Sequence, residues 1–293
     1  MFKVLVLQQL HNLSDDRIEY PIRDRLSFMR FLGLQMEDRV PDSKTVWLFR
    51  EHLKREGLVE ILFGRFHQQL AAQGYAAHAG QMIDATFVEV PRQRNNREDN
   101  ALIKAGETPV PWTEDPAKPM LRQKDLDARW ARKNKETHYG YKNHANADQG
   151  HKLVQRYRVT DASVHDSQVF DVLLDQHTHE DERKRPIYAD SAYRSKAQEA
   201  RLAADRIPSR ICEQGARNHP LTEQQKASNH EKSKVRSRVE HVFGAQAQRG
   251  GHIVRTIGLP RAEVKIGLMN RVYNRVRLGQ LLKRDRIVAP AVA

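Results

Sequence analysis

Arg236 and Glu240 stand four residues apart in the run Val235-Arg236-Ser237-Arg238-Val239-Glu240-His241-Val242-Phe243-Gly244. That spacing predicts one helix carrying both side chains on one side, a turn apart. Val235, Val239 and Val242 form an apolar stripe on another side, and Arg238 and His241 crowd further basic character around the carboxylate. Two chemistries fit. One is an intrahelical ion pair, contributing a few tenths of a kcal/mol; the other is a metal-binding carboxylate on a helix that faces nucleic acid. Two more acids bear on the choice. Asp84 lies inside the alternating, β-branched run 81–90, which reads as a strand; acids are depleted in strands, so this one is either on an exposed face or functional. Asp190 ends a short apolar strand at 186–190. Three clustered carboxylates repel one another unless a cation lies between them. Mg²⁺ takes such hard oxygen ligands. Two ions about 4 Å apart activate a water or 3′-hydroxyl and stabilise the leaving oxygen in phosphoryl transfer.

Composition points to the same partner. The chain has 293 residues, with 50 Lys and Arg against 37 Asp and Glu, a net charge of +13. Basic surface gains affinity for phosphate by releasing counterions, so a polyanion is expected. No apolar run is long enough to suggest a membrane span, and the apolar opening Phe2-Lys3-Val4-Leu5-Val6-Leu7 has no cleavage site of a signal peptide. The one cysteine, Cys212, excludes intrachain disulfides and Cys-pair zinc sites and suggests a reducing cytoplasm.

The elements that must position the acids follow from periodicity. Residues 1–73 read as all-helical, with a helix start at Pro41-Asp42-Ser43-Lys44-Thr45. The helices around that turn resemble a helix-turn-helix; the other reading is plain helical packing, with Arg50, Lys54 and Arg55 on a solvated face. At Gly80 the period changes to that of a strand. Residues 92–135 read as a charged connector, a long loop with helical fragments and a basic end at Arg129, Arg132, Lys133 and Lys135. Strands are expected at 138–145 and 152–160, a helix at 166–177, and a helix opening at 191–196. A last short strand is expected at 207–211, followed by a charged helical stretch from Pro220 that Gly250-Gly251 closes, and a basic helix at 261–282. A three-strand meander followed by alternating units implies an α/β fold, a mixed sheet with helices on its faces. Sites in such sheets lie at the carboxyl ends of strands, where this topology can gather Asp84, Asp190 and Glu240.

The same residues carry a family resemblance. Ile83-Asp84-Ala85-Thr86, Tyr188-Ala189-Asp190-Ser191-Ala192-Tyr193 and Arg236 to Phe243 resemble the three acidic motifs of DDE transposases from bacterial insertion sequences, most nearly the insertion-sequence-five group. Val164-His165-Asp166-Ser167, the run 254–259 and the run 24–34 are similar to that group too, so the resemblance covers nearly the whole chain. It implies an RNase H-like catalytic domain at 79–285, with a charged insertion at about 92–135, a helical region at 1–78 before it that is a candidate for DNA binding, and a tail at 286–293. It implies Asp84, Asp190 and Glu240 as catalytic and metal-binding triad, two Mg²⁺ ions with Mn²⁺ able to substitute, and cut-and-paste transposition. The expected partners are double-stranded DNA, as terminal inverted repeats and target site, and further copies of the chain on that DNA; the expected place is the bacterial cytoplasm at the nucleoid.

The family pattern has Tyr seven residues before the Glu, Arg four before it and Lys seven after it. Arg236 fits; Ser233 and Ala247 stand in the other two places, with Gln248 or Arg249 placed to substitute partly for the lysine. Lys142, Arg194, Lys196, Arg236 and Arg249 are the candidate DNA contacts, each set against a solvated charge. Relatives usually carry a further helical segment before the stretch matched here, so a shortened start is expected, and with it an alternative function: a remnant that binds DNA without cutting. A non-transposing nuclease of the same fold is a third reading. His177-Thr178-His179-Glu180-Asp181 reads as a solvated loop, because no partner ligands sit at zinc spacing. His165 either approaches the site or caps a helix toward solvent; Tyr188 and Tyr193 either flank the site or pack; Cys212 reads as a core thiol.

Overall fold

The structure is a computed structural model that describes residues 1–75, 79–113, 123–174, 185–216 and 219–288. The first part is helical, as expected: α1 (Phe2–His11), α2 (Asp15–Asp24), α3 (Leu26–Leu32), α4 (Ser43–Arg55) and α5 (Leu58–Ala72). The expected start of α4 is capped by Asp42, whose Oδ1 accepts the Thr45 N–H at 2.8 Å. The core of these helices is completed from the other end of the sequence. Leu5, Ile18, Ile22, Phe28, Val46 and Leu53 pack together with Val264 and Leu268, which belong to α11 (Leu259–Val288) at the other end of the sequence. Helix α11 is thus buried on several sides, against the N-terminal helices through Val264 and Leu268 and against the sheet through Ile266 and Met269.

The sheet has six strands: β1 (Gln81–Glu89), β2 (Arg129–Lys133), β3 (Glu136–Asp148), β4 (Val154–Asp161), β5 (Ile187–Ala189) and β6 (Ser209–Ile211). Their order is β2-β3-β1-β5-β6, with β4 also on β3. The expected meander is present: β1 pairs β3 and β3 pairs β4, both antiparallel, while β5 and β6 run parallel to β1. Strand β2 corrects the reading of 129–133 as the basic end of a loop. It pairs antiparallel with β3 through Asn134 and Lys135, both at positive φ (50° and 69°), the backbone of a tight two-residue hairpin. The connector also holds α6 (Arg97–Ala105), started by Asn96, whose side chain accepts the Asp99 N–H.

Two expected helices begin later than the pattern suggested. A 3₁₀ turn at Asp166–Val169 precedes α7 (Phe170–Leu173), and another at Ser191–Tyr193 precedes α8 (Lys196–Ala204). The rest of the stretch expected as helix at 166–177, and the histidines at 177 and 179, lie outside the described residues. One sheet face carries Met82, Ala145 and Ala147 against Val239, Val242 and Tyr273; the other carries Ile83, Ile187 and Ala189 against Phe170, Leu173 and Leu202. A mixed sheet between two helical layers is consistent with the expected RNase H-like fold. Among the described residues no helix is long and apolar enough to cross a membrane.

One glycine in the sheet is required by close approach. Gly140 of β3 has φ 146°, and a Cβ there would meet the Val88 carbonyl oxygen at 2.5 Å and Val90 N at 3.0 Å. Gly140→Ala should therefore destabilise the fold by about 2 kcal/mol or more. Chemical denaturation measures this, and a loss under about 0.5 kcal/mol, that of an ordinary surface change, would contradict the geometry.

Candidate active site

Strand β1 alternates, so Met82 and Asp84 share one face and Ile83 points to the other. Ile83 pairs in parallel register with Ala189 of β5. Asp84 and Asp190 each follow by one residue, so they stand at the same level on neighbouring parallel chains. Strand β5 ends at that level; Asp190 caps the following 3₁₀ turn, its Oδ1 accepting from Ser191 N–H at 2.5 Å and Ser191 Oγ at 3.2 Å. Asp84 is only 8% exposed, and its Oδ1 accepts the Ala85 N–H at 2.8 Å. Burial raises the Asp84 carboxyl above the usual carboxylate range. The Arg236 guanidinium opposes that shift and the charge of Asp190 adds to it.

The stretch expected as one helix is built in three pieces: α9 (Glu223–Arg236), a 3₁₀ turn (Ser237–Val239) and α10 (Glu240–Ala247). Helix α9 starts with a capping box between Thr222 and Gln225. The apolar stripe is as expected, Val239 and Val242 packing into the cluster that holds Met82, with Val235 partly buried beside them. Arg236 does not pair with Glu240. Its Nη1 donates to Asp84 Oδ2 at 2.6 Å, which ties the end of α9 to β1 across 152 positions of sequence. Glu240 opens α10 one residue after buried Val239 and is exposed. The structure thus brings Asp84 and Asp190 together and leaves Glu240 at the adjoining helix start. Among the described residues no three His, Cys, Asp or Glu side chains gather closely enough to hold a metal ion.

The donor chemistry nevertheless fits a hard cation. Asp84 and Asp190 offer only carboxylate oxygens, and Asp84 is a desolvated carboxyl beside a second one, with the Arg236 guanidinium as its ion-pair partner among the described residues. Two buried polar atoms beside them have no hydrogen-bond partner, Arg236 Nε and the Tyr193 hydroxyl. Tyr193 both packs and flanks the site. It is fully buried, 5.9 Å from the Phe170 ring, and its phenol is pushed far up by burial and then by the charges of Asp166, Asp84 and Asp190.

The basic candidates are placed differently from one another. Lys142 lies opposite Phe87 on β3, on the sheet face away from Asp84, and its Nζ donates to Val164 O at 2.7 Å and Asp166 Oδ1 at 2.9 Å. Arg194 is exposed and reaches Glu199 at 3.4 Å, and Lys196 is exposed at the start of α8. Arg249 lies just beyond α10 and donates to Ala245 O at 2.7 Å. His165 caps the 3₁₀ turn before α7 rather than entering the site, and Cys212 is buried.

Beside Lys142, His144 has a fully buried side chain; its Nε2 is 2.9 Å from Thr160 Oγ1 and its Nδ1 3.8 Å from Asp166 Oδ1. Burial holds its imidazole down to about 4 from 6.5, with Asp166 opposing. The folded state therefore keeps His144 neutral while the unfolded chain takes up a proton near pH 6.5. Its contribution to stability is complete above that pH and is lost as pH falls toward 4, by up to about 3 kcal/mol. His144→Gln should flatten the fall in stability between pH 6.5 and 4 relative to the wild-type protein; parallel curves from denaturation at several pH values would contradict the assignment.

What positions α10 was not expected from the sequence. Asn143 of β3, Gln246 of α10 and Asn270 of α11 form a buried amide triad: Gln246 Nε2 donates to Asn270 Oδ1 at 2.8 Å, Asn270 Nδ2 to Asn143 Oδ1 at 3.1 Å, and Asn143 Nδ2 to Asn270 Oδ1 at 3.1 Å. The Asn274 amide similarly bonds both backbone groups of Val154, locking α11 to β4. Unpaired, these amides would each lose the solvation given up on burial; paired, they fix one arrangement of helix on sheet. Their only sequence signal was polar residues inside a strand and inside apolar helical stretches.

Fold and site together define a class: a mixed α/β sheet between helical layers, with two acids at one level on neighbouring parallel chains. Residues 76–275 match the family model described as Transposase DDE domain, and residues 1–52 match one described as Transposase domain (DUF772). The chain belongs to the DDE transposases of insertion sequences and serves DNA transposition. No solved structure matches it.

Proposed function

We propose that this transposase cleaves and joins DNA strands at the ends of an insertion sequence, with Asp84, Asp190 and Glu240 as the catalytic carboxylates. The observation that supports this is the juxtaposition of Asp84 and Asp190, a desolvated acid beside a second acid in a chain of net charge +13. Divalent ions, Mg²⁺ or Mn²⁺, would be held by those two acids and by Glu240 and would supply the charge that activates the attacking hydroxyl and stabilises the leaving oxygen. Arg236 positions Asp84 and neutralises it in the absence of DNA. Arg194, Lys196 and Arg249 are exposed or half-buried cations available to backbone phosphates, whereas Lys142 reaches phosphate only by leaving Asp166. Two element ends must be handled together, so the working form is a homo-oligomer on DNA, in the bacterial cytoplasm at the nucleoid.

One observation favours a second reading, a protein that binds DNA and does not cut: Arg236 holds Asp84 while Glu240 faces solvent. An assay with a duplex carrying the two flanking ends of the element, in Mg²⁺, separates the readings. Cleavage at the ends followed by strand joining is expected. Binding without any cleavage would leave the second reading, and cleavage without joining would make the protein a nuclease.

A further inference from the structure

Where α10 meets α11 and the β3–β4 turn, Lys152, His241, Arg249 and Arg277 line a cleft of about 130 Å³ together with Tyr273 and Gln280. Among the described residues no carboxylate lines it. Lys152 Nζ lies 2.6 Å from the His241 Nδ1 ring nitrogen. The Arg249 guanidinium donates to Ala245 O at 2.7 Å, and that of Arg277 to His151 O at 2.7 Å and Gln280 Oε1 at 3.1 Å. The guanidiniums are therefore oriented by neutral groups, and their charges are not cancelled by them. Burial, and then the nearby charges of Arg238 and Arg277, press the Lys152 ammonium below its ordinary value. That is the signature of cations gathered without an anion.

The backbone at Lys152 adds a second, independent observation. Its φ is 59°, a left-handed conformation that glycine or asparagine adopts with less strain, and the Tyr273 hydroxyl clamps the Lys152 carbonyl at 2.8 Å. A lysine is thus held in a strained conformation that delivers its side chain into the cleft. His241 and Ala245 share one face of α10, Arg249 follows a turn later, and Glu240 begins the adjoining face.

We propose that this cleft seats a backbone phosphate of duplex DNA, so that a strand held there runs past Glu240. The proposal rests on the DNA-cleaving or DNA-binding reading above and adds a location to it. Charge-assisted hydrogen bonds from a lysine and two guanidiniums suit a phosphodiester, and the space admits one phosphate group and excludes a base pair.

The test is equilibrium binding of a fluorescent duplex of arbitrary sequence across a salt series, for the wild-type protein, Lys152→Asn, Arg249→Gln and the double variant. Asparagine tolerates the left-handed backbone, and Arg249 is bonded only to a carbonyl of its own turn, so Arg249→Gln carries the test even if Lys152→Asn melts early. Each single change should lower the slope of log affinity against log salt by about 1, and the double change by no more than that because one phosphate is seated, on every duplex sequence. Wild-type slopes in both variants would overturn the cleft and leave the DNA reading standing. A wild-type protein that binds no duplex at any salt concentration would overturn both.

Discussion

Asp84→Asn should reduce strand cleavage on the order of 10³-fold or more and leave DNA affinity within a factor of about two. The substitution keeps the shape of the side chain and one oxygen to accept the Ala85 N–H, which Asp84 Oδ1 holds at 2.8 Å. It removes only the negative charge, and with it the ability to hold a cation beside Asp190. The fold should tolerate the change, because the wild-type carboxylate is already disfavoured by burial and by its acidic neighbour. Single-turnover cleavage of an end-bearing duplex and fluorescence anisotropy of the same duplex give the two readouts. Cleavage within tenfold of wild type would remove Asp84 from the chemistry; loss of binding in parallel with cleavage would give it a structural role instead.

Arg236→Ala should be the most destabilising change at the site. It removes the ion-pair partner of a carboxylate whose side chain is 12% exposed, and leaves the charge buried beside Asp190. Breaking such a pair costs about 3 kcal/mol, or roughly a 5 °C fall in melting temperature for a chain of this size. The pH dependence follows from the sign of the shift. Without Arg236 the raised carboxyl of Asp84 rises further, so the folded state binds a proton more tightly than the unfolded one. The variant should then lose stability as pH climbs through and above the ordinary carboxylate range, and be closest to wild type in acid. Adding Asp84→Asn to Arg236→Ala should recover most of the loss, since the unpaired charge is gone. Equal melting temperatures for the single and double variants would show that the pair contributes nothing through its charge.

Much of this site was legible in the sequence for a definite reason. Asp84 sits in a strand whose alternation is clear, and Asp190 closes a run of apolar residues too short to be anything but a buried strand. Their adjacency follows from β1 and β5 being parallel neighbours; the order of elements implied a mixed sheet but not which strands lie side by side. The partner of Arg236 was not legible. A spacing of four looked like an intrahelical pair, yet three residues of 3₁₀ turn change the angle between Arg236 and Glu240, and the guanidinium finds Asp84 instead. Strand β2 was hidden because Arg129, Arg132 and Lys133 are mostly exposed on an edge, where strand composition is weakly constrained. The Asn143–Gln246–Asn270 triad was hidden because an amide gives no sign in sequence of whether it faces water or another amide.

The 3₁₀ turn at Ser237–Val239 has a mechanical consequence. Each residue of a 3₁₀ helix advances about 120° and 2.0 Å, against about 100° and 1.5 Å in an α-helix. Rewinding three residues from one pitch to the other would rotate α10 relative to α9 by about 60° and shorten the rod by about 1.5 Å. Arg236 lies on one side of that joint and Glu240 on the other. A change of pitch at that joint would turn Glu240 about the helix axis relative to Arg236, and would carry Val242 of α10 round with it.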